Sequence, residues 1–298
     1  MRENKKCGFV ALLGETNVGK STFVNTAVGE MVSIVTPKPQ TTRTAIKGIY
    51  NNHSGQIVFV DTPGIHKPKG NLGKIMVKIA CESLVGVDLL ILMVDASKPL
   101  RVDEKILGEI ERFKGPKIVV FNKVDLVKNK NELLPKIENL SKILKDVEIF
   151  PISATSKEDV KKVIDRIFES LPSGEPLYSD ELYTDILEKN IAAEVIRKHL
   201  FLSLKEEIPY TTAVFIEKFA EPQDEKRKVH IEAVILVGKK SHKPILIGKG
   251  GENIKRIGIA SRMELENILG RKINLRLFVK LKPDWENDPE TLKELGLR

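Results

Sequence analysis

Gly14-Glu15-Thr16-Asn17-Val18-Gly19-Lys20-Ser21 fits the phosphate-cradling pattern G-x-x-x-x-G-K-[ST] without a mismatch. Its flanks agree. Phe9-Val10-Ala11-Leu12-Leu13 in front is a short apolar run that reads as a buried strand, and Phe23, Val24, Ala27 and Val28 behind it fall at helical spacing. A strand, a Gly-rich turn and a helix aim backbone N–H groups and the positive end of a helix at one point, which favours a polyphosphate. In that arrangement Lys20 reaches the terminal phosphates as a point charge, the Ser21 hydroxyl ligates Mg²⁺, and Thr22 completes the cradle.

The rest of the composition sets bounds. A chain of 298 residues suggests two domains, and 41% hydrophobic with 30% charged residues describes an ordinary soluble protein with material for a core in each. No apolar run approaches a membrane span, and Met1 to Lys6 leads straight into a strand, so no signal peptide is expected. Cys7 and Cys81 are far apart and lack a C-x-x-C partner, which predicts reduced thiols and a cytoplasmic protein. A pI of about 9.2 and a net charge of +8 permit a nucleic-acid or anionic-membrane partner without requiring one.

Apolar runs and turn signals predict strands near 7–13, 45–51, 56–61, 88–95, 117–122 and 147–151, and helices near 20–28, 72–86, 103–113, 131–144 and 157–170. Such alternation predicts an α/β domain, a mostly parallel six-stranded sheet with ligands at the carboxyl ends of its strands. Asn51 to Gly55 reads as a hairpin turn, which makes the second strand the antiparallel edge.

Further motifs fall at those carboxyl ends. Val58-Phe59-Val60-Asp61-Thr62-Pro63-Gly64 is a buried strand ending in an Asp that can hold Mg²⁺ through a water, while the Gly64 N–H can meet a γ-phosphate. Val119-Val120-Phe121-Asn122-Lys123-Val124-Asp125 is another. A carboxylate there accepts from guanine's N1–H and exocyclic amine, and adenine lacks that amine, so an unmatched carboxylate penalises the wrong base. Lys123 would lie along the base and Asn122 would brace the loop. A backbone N–H of Ser153 or Ala154, at the end of the last strand, would meet the guanine O6.

Taken from the phosphate loop through Asp61-Thr62-Pro63-Gly64 to Asn122-Lys123-Val124-Asp125, the sequence resembles the translation-factor-related GTPases. Gln40-Thr41-Thr42-Arg43 resembles their first switch, whose Thr closes onto Mg²⁺ and the γ-phosphate; Thr42 is the better match and Thr41 the runner-up. The resemblance thus implies Lys20, Thr42 and Gly64 as the catalytic set, and Ser21, Thr42 and Asp61 at the metal. One departure bears on mechanism. Ile65 stands where Ras-type proteins carry the Gln that orients the attacking water, so hydrolysis needs another positioner or a partner. Asn17 matches the loop Asn that in related bacterial GTPases helps bind K⁺, and the competing reading makes it a loop-stabilising residue.

Leu171-Pro172-Ser173-Gly174-Glu175-Pro176 is a Pro/Gly break. It divides the chain into a GTP-binding domain at 1–173, a linker at 174–183, a second domain at 184–282 and a tail at 283–298. Behind it the pattern predicts a helix, two strands joined by a charged turn at 221–226, a turn Gly248-Lys249-Gly250-Gly251 between two helices, and a last strand. G-x-x-G alone occurs by chance in a chain this long. In this α-β-β-α-α-β setting it resembles a type II KH domain, whose G-x-x-G loop clamps the backbone of about four nucleotides. Lys249, Lys255 and Arg256, with Lys239, Lys240 and Lys243, crowd the loop where a clamp would want them. His199 and His230 read as structural, and Trp285 as an anchor for the tail rather than a stacking platform.

A guanine-specific GTPase domain followed by one KH module resembles the Era family. That resemblance implies a GTP/GDP- and Mg²⁺-dependent switch, with K⁺ as a further candidate. It also implies small-subunit ribosomal RNA near its 3′ end as partner, a role in small-subunit assembly, a monomer, and peripheral contact with the inner membrane. Two rivals stay open: an RNA-binding scaffold in which GTP is structural, and a membrane-linked signalling GTPase.

Overall fold

The computed structural model describes residues 5–65, 68, 70–221 and 228–297, so most of the predicted charged turn at 221–226 lies outside the described residues. The chain divides into two compact units between Asp185 and Ile186.

The first unit runs β1 (Lys6–Leu13), α1 (Lys20–Val28), β2 (Ile46–Asn52), β3 (Gly55–Asp61), α2 (Gly70–Glu82), β4 (Leu89–Asp95), α3 (Glu104–Arg112), β5 (Lys117–Asn122), α4 (Leu133–Ile143), β6 (Glu148–Ile152) and α5 (Lys157–Ser170). The sheet order is β2-β3-β1-β4-β5-β6. All neighbours are parallel except β2, which pairs antiparallel with β3 at the edge, as the hairpin predicted. Every residue of β3 and β4 is buried, as expected of central parallel strands covered on both faces. The carboxyl ends of β1, β3, β4 and β5 deliver Gly14, Thr62, Ala96 and Lys123 to one rim of the sheet, on either side of the strand where its order reverses.

The stretch that composition marks as a linker is bound along this unit's edge. Buried Gln56 accepts from the backbone N–H groups of Leu177 (2.7 Å) and Tyr178 (2.9 Å) and donates to the Tyr178 carbonyl. Farther on, the Ile49 N–H donates to Tyr183 O, and the Thr184 hydroxyl to Lys47 O.

The second unit runs α6 (Glu188–Ser203), β7 (Thr212–Ala220), β8 (Val229–Val237), α7 (His242–Ile247), α8 (Glu252–Leu269), β9 (Ile273–Leu281) and α9 (Pro289–Glu294). Its sheet has the order β7-β8-β9, with β7 antiparallel and β9 parallel to β8. Ile196, Leu200, Leu246 and Ile257 from the helices pack with Val214, Ala233, Ile235 and Val237 of the sheet. The tail is folded too. Trp285 is buried and its Nε1–H donates to the Thr211 carbonyl at 3.0 Å, after which Asp288 caps α9.

Candidate nucleotide site

α1 begins at Lys20 with Gly19 as N-cap; no side chain caps it and its first turn carries no acid. The positive end of the helix therefore lacks a built-in anion. Gly19 has no room for a side chain, because a Cβ would stand 2.2 Å from Asn122 Nδ2. Lys20 is buried, and its ammonium folds back onto the carbonyls of Gly14 (3.0 Å) and Glu15 (2.9 Å). Burial lowers its pKa to about 8, against the pull of Asp61 and Glu15. A buried cation whose hydrogen bonds among the described residues go to carbonyls is what a phosphate would relieve.

The three expected metal ligands come together. Ser21 Oγ lies 2.6 Å from Asp61 Oδ2 and 3.0 Å from Thr42 Oγ1. Thr41 is turned elsewhere, bonded to Thr36 Oγ1 at 2.7 Å and donating to Lys38 O, so the geometry favours Thr42 of the two candidates. Asp61 is fully buried, and burial raises its pKa above the ordinary carboxylate range in spite of Lys20, Ser21 and Ser33. Its Oδ1 has no hydrogen-bond partner among the described residues. Two hydroxyls, one carboxylate and an orphaned buried oxygen fit a hard cation such as Mg²⁺. Nearby, Thr62 is spent on structure, donating to Leu12 O at 2.6 Å, and buried Pro63 and Gly64 lead to Ile65, whose N–H donates to Gly14 O.

On the base side, Asn122 is the brace that the sequence proposed. Its Nδ2 donates to Val18 O (2.7 Å) and its Oδ1 accepts from Ala154 N (2.8 Å), tying the phosphate loop to the end of β6. In the structure the Ala154 N–H goes to Asn122 and the Ser153 N–H to Asp159. Lys123 donates to Asn17 O at 2.6 Å; Val124 packs on the core, and Asp125 is exposed on the turn that follows. Sequence reasoning missed Asp95. Its carboxylate, 5% exposed, holds Lys123 at 2.7 Å and Ser97 Oγ at 2.6 Å. Burial pushes its pKa up, but Lys123 and Ser97 outweigh that and bring it below the ordinary value. The available signal was Val94-Asp95, a buried strand ending in an acid like Val60-Asp61. A cleft of about 450 Å³ joins these groups, lined by Asn17, Lys20, Ser21, Thr22, Thr42 and Lys123. Glu15 and Thr16 line a neighbouring cavity of about 350 Å³, and Thr16 lines the cleft as well.

In the second unit Gly248 ends α7 at φ 78°, where a Cβ would meet Asn253 Cβ at 2.8 Å. Gly250 and Gly251 also have positive φ but open space around them, so the protein itself does not crowd that side of the loop. Lys249, Lys255 and Arg256 are exposed beside it, and Arg256 donates to Asn253 Oδ1.

A family described as "50S ribosome-binding GTPase" matches residues 9–123, and the KH domain family matches residues 207–286. The GTPase Era of Ruminiclostridium cellulolyticum is 42% identical over 294 residues, 98% of each chain. This chain belongs to the Era GTPase family. Among solved structures, Aquifex aeolicus Era bound to GDP and aluminium fluoride superposes with a TM-score of 0.93 at 39% identity, covering 98% of this chain and 99% of that one. Era in complex with MgGDPNP and nucleotides 1506–1542 of 16S ribosomal RNA superposes at 0.92 with 38% identity, with the same coverage. As a member of the Era family the chain is a GTPase with a KH domain. In this chain the Ile65 side chain is fully buried, packed with Ala11, Leu13 and Val60 in the core, so it does not face the cleft.

Proposed function

We propose that this GTPase is a switch whose second unit grips small-subunit ribosomal RNA near its 3′ end during assembly of that subunit. The carrying observation is the convergence of Ser21, Thr42 and Asp61, which joins the phosphate loop to the segments that would sense a γ-phosphate. Lys20 would exchange the loop carbonyls for the terminal phosphates, and Ser21, Thr42 and Asp61 would hold Mg²⁺. When bound, that ion neutralises charge on the β- and γ-phosphates. Thr42 and the Gly64 N–H orient the γ-phosphate, Asp125 reads the guanine, and Lys123 lies along it. Asn17 supports K⁺ as a further ion; its amide already ties the loop to Pro37 O, at 2.8 Å, ahead of Thr42. Equal turnover in NaCl and KCl would remove K⁺.

The RNA reading rests on Gly248 to Gly251 with Lys249, Lys255 and Arg256, and on a relative of nearly equal length solved with 16S RNA. The family description that names the 50S particle covers only the front of the chain, so the full-length likeness weighs more. A monomer in the cytoplasm with peripheral contact to the inner membrane completes the proposal, on resemblance alone. No helix among the described residues is long and apolar enough to cross a membrane.

Buried Ile65 favours a second reading, a scaffold in which GTP is structural. Binding of a 16S 3′-end fragment to GTP- and GDP-loaded protein separates the two. The switch expects a difference between nucleotides and RNA-stimulated hydrolysis, both lost in Lys20→Ala, with Gly248→Asp losing only the RNA. Indifference to nucleotide supports the scaffold.

A further inference from the structure

The hairpin of β2 and β3 has one end beside Thr42 and Asp61 and the other on the stretch that leads out of the first unit. Ile46, the first residue of β2, pairs with Asp61, the last of β3, and stands four residues after Thr42. At the far end Asn51 pairs with Gln56, and both hold the outgoing stretch. Gln56 does so at Leu177 and Tyr178, and Asn51 by donating to the Asp180 carbonyl at 3.2 Å. Along the outer edge of β2, Gly48 forms an antiparallel bridge with Thr184, flanked by the bonds of Lys47 O to the Thr184 hydroxyl (2.7 Å) and of Ile49 N to Tyr183 O (2.9 Å). A polar ring closes the row. Lys47, the second residue of β2, donates to Asp185 Oδ2 (2.8 Å) and to the Tyr178 hydroxyl (3.0 Å), and that hydroxyl donates to Asp185 Oδ2 at 3.1 Å. Asp185 is the last residue before the second unit begins. An edge strand offers unpaired backbone groups, and here the chain's own segment takes them. The pairing is short and its ion pair half-exposed, 38% for Lys47 and 33% for Asp185, which suits it to local opening.

We propose that Leu177 to Asp185 is a latch on β2, closed by Lys47 while Thr42 is held at Ser21 and opened when Thr42 leaves. The inference rests on the reading of this chain as a nucleotide-controlled switch that binds RNA. With Thr42 at Ser21, as in this structure, the run from Thr42 to Lys47 is fixed at both ends, by the Ser21 hydroxyl and by β3. That sets the lysine stem where Tyr178 and Asp185 both take its ammonium. Without the Thr42 anchor the start of β2 frays as strand ends do, and Lys47 lies one residue inside that end. Gln56 is fully buried in β3 and keeps its bonds to Leu177 and Tyr178 in either state. The stretch therefore opens from the Asp185 side, next to Ile186, and stays tied at Leu177. A segment with two such states, one of them tied to the nucleotide, is the physical element that coupling requires.

The test uses the full-length protein with Mg²⁺ and either GDP or a non-hydrolysable GTP analogue. It reads amide hydrogen exchange at Ile49 and affinity for a 16S 3′-end fragment. In the parent, Ile49 should exchange about tenfold more slowly with the analogue, the worth of one charge-assisted hydrogen bond, while Leu177 exchanges alike with both nucleotides. Lys47→Met keeps the stem and removes the ammonium; Asp185→Asn keeps the shape and removes the charge. Each should bring Ile49 to the parent's GDP rate or faster with either nucleotide. Each should also give the analogue-loaded protein the RNA affinity of the GDP-loaded parent, with GDP affinity unchanged. The double variant should go no further than either single one, because both act through one contact, and Lys47→Arg should restore the nucleotide dependence. If RNA affinity depends on nucleotide in the parent and equally in Lys47→Met and Asp185→Asn, the latch is overturned and the switch stands. Exchange at Ile49 that ignores the nucleotide in the parent overturns the latch as well. A parent whose RNA affinity ignores the nucleotide overturns the switch reading, and the latch falls with it.

Discussion

Lys123 sits in the left-handed backbone region at φ 67°, a conformation that costs a side-chain-bearing residue energy and persists only where its surroundings hold it. Here Asp95 and the Asn17 carbonyl take its ammonium at 2.7 and 2.6 Å. The lysine stem is thereby stretched between the phosphate loop and the end of β4, across the floor where a base would lie. Asp95→Asn keeps the shape and removes the charge. GTP and GDP affinities should fall together by about tenfold, the worth of one charge-assisted bond, and the preference for guanine over adenine should not change. Calorimetry with GDP and ADP checks both halves, and an unchanged GDP affinity refutes the role. Residues such as Ser21 and Asp61 were legible in the sequence because phosphate and metal chemistry demand given atoms at given spacings. Asp95 was not, because a lone acid at a strand end has no spacing to a partner 28 residues away.

Among the elements, strands and helices followed the apolar periodicity closely, since burial on one or two faces writes itself into the pattern. The linker did not. Pro172, Gly174 and Pro176 mark a break in regular structure, but what pins the stretch is Gln56, a polar residue inside β3 whose amide serves two backbone N–H groups and one carbonyl. No periodicity records such a bond. The α6–α8 pairing is similar: Glu264 of α8 takes Lys198 at 2.7 Å and His199 at 2.8 Å from α6. The hydrogen bond from His199, then Lys198, carries its pKa below the ordinary carboxylate value against the effect of burial. A carboxylate depressed by folding stabilises fully above its unfolded pKa, and that contribution is lost as pH falls through the folded value. Glu264→Gln should therefore destabilise the second unit by about 1 kcal/mol at pH 7, with the gap from the parent closing as pH falls below about 4. Trp285 is the one tryptophan and is buried in that unit, so its fluorescence during urea unfolding reports the difference. A gap that persists at pH 3 would assign the effect to packing instead.

Across the whole molecule the net charge of +8 is spread over both units, and charge alone does not say where an RNA would bind. Location comes from what surrounds the charge. Lys249, Lys255 and Arg256 are exposed next to three glycines whose positive φ angles open the loop, whereas Lys20 and Lys123 are consumed inside the first unit. The two sets should then answer salt differently. RNA gripped through phosphates releases counterions, so its affinity falls linearly with salt on logarithmic axes, with a slope near 0.7 for each contact to a single strand. Lys249→Ala and Lys255→Ala should each flatten that slope by about 0.7, and the double variant by the sum, while GDP affinity at any one salt concentration stays at the parent value. Lys20→Ala should do the reverse, losing the nucleotide and keeping the RNA salt slope measured without it. Filter binding of a 16S 3′-end fragment from low to moderate salt provides the slopes. If Lys249→Ala and Lys255→Ala lower affinity without flattening them, these lysines act by shaping the loop, and the phosphate clamp must be sought among the other exposed lysines near it, Lys239 and Lys240.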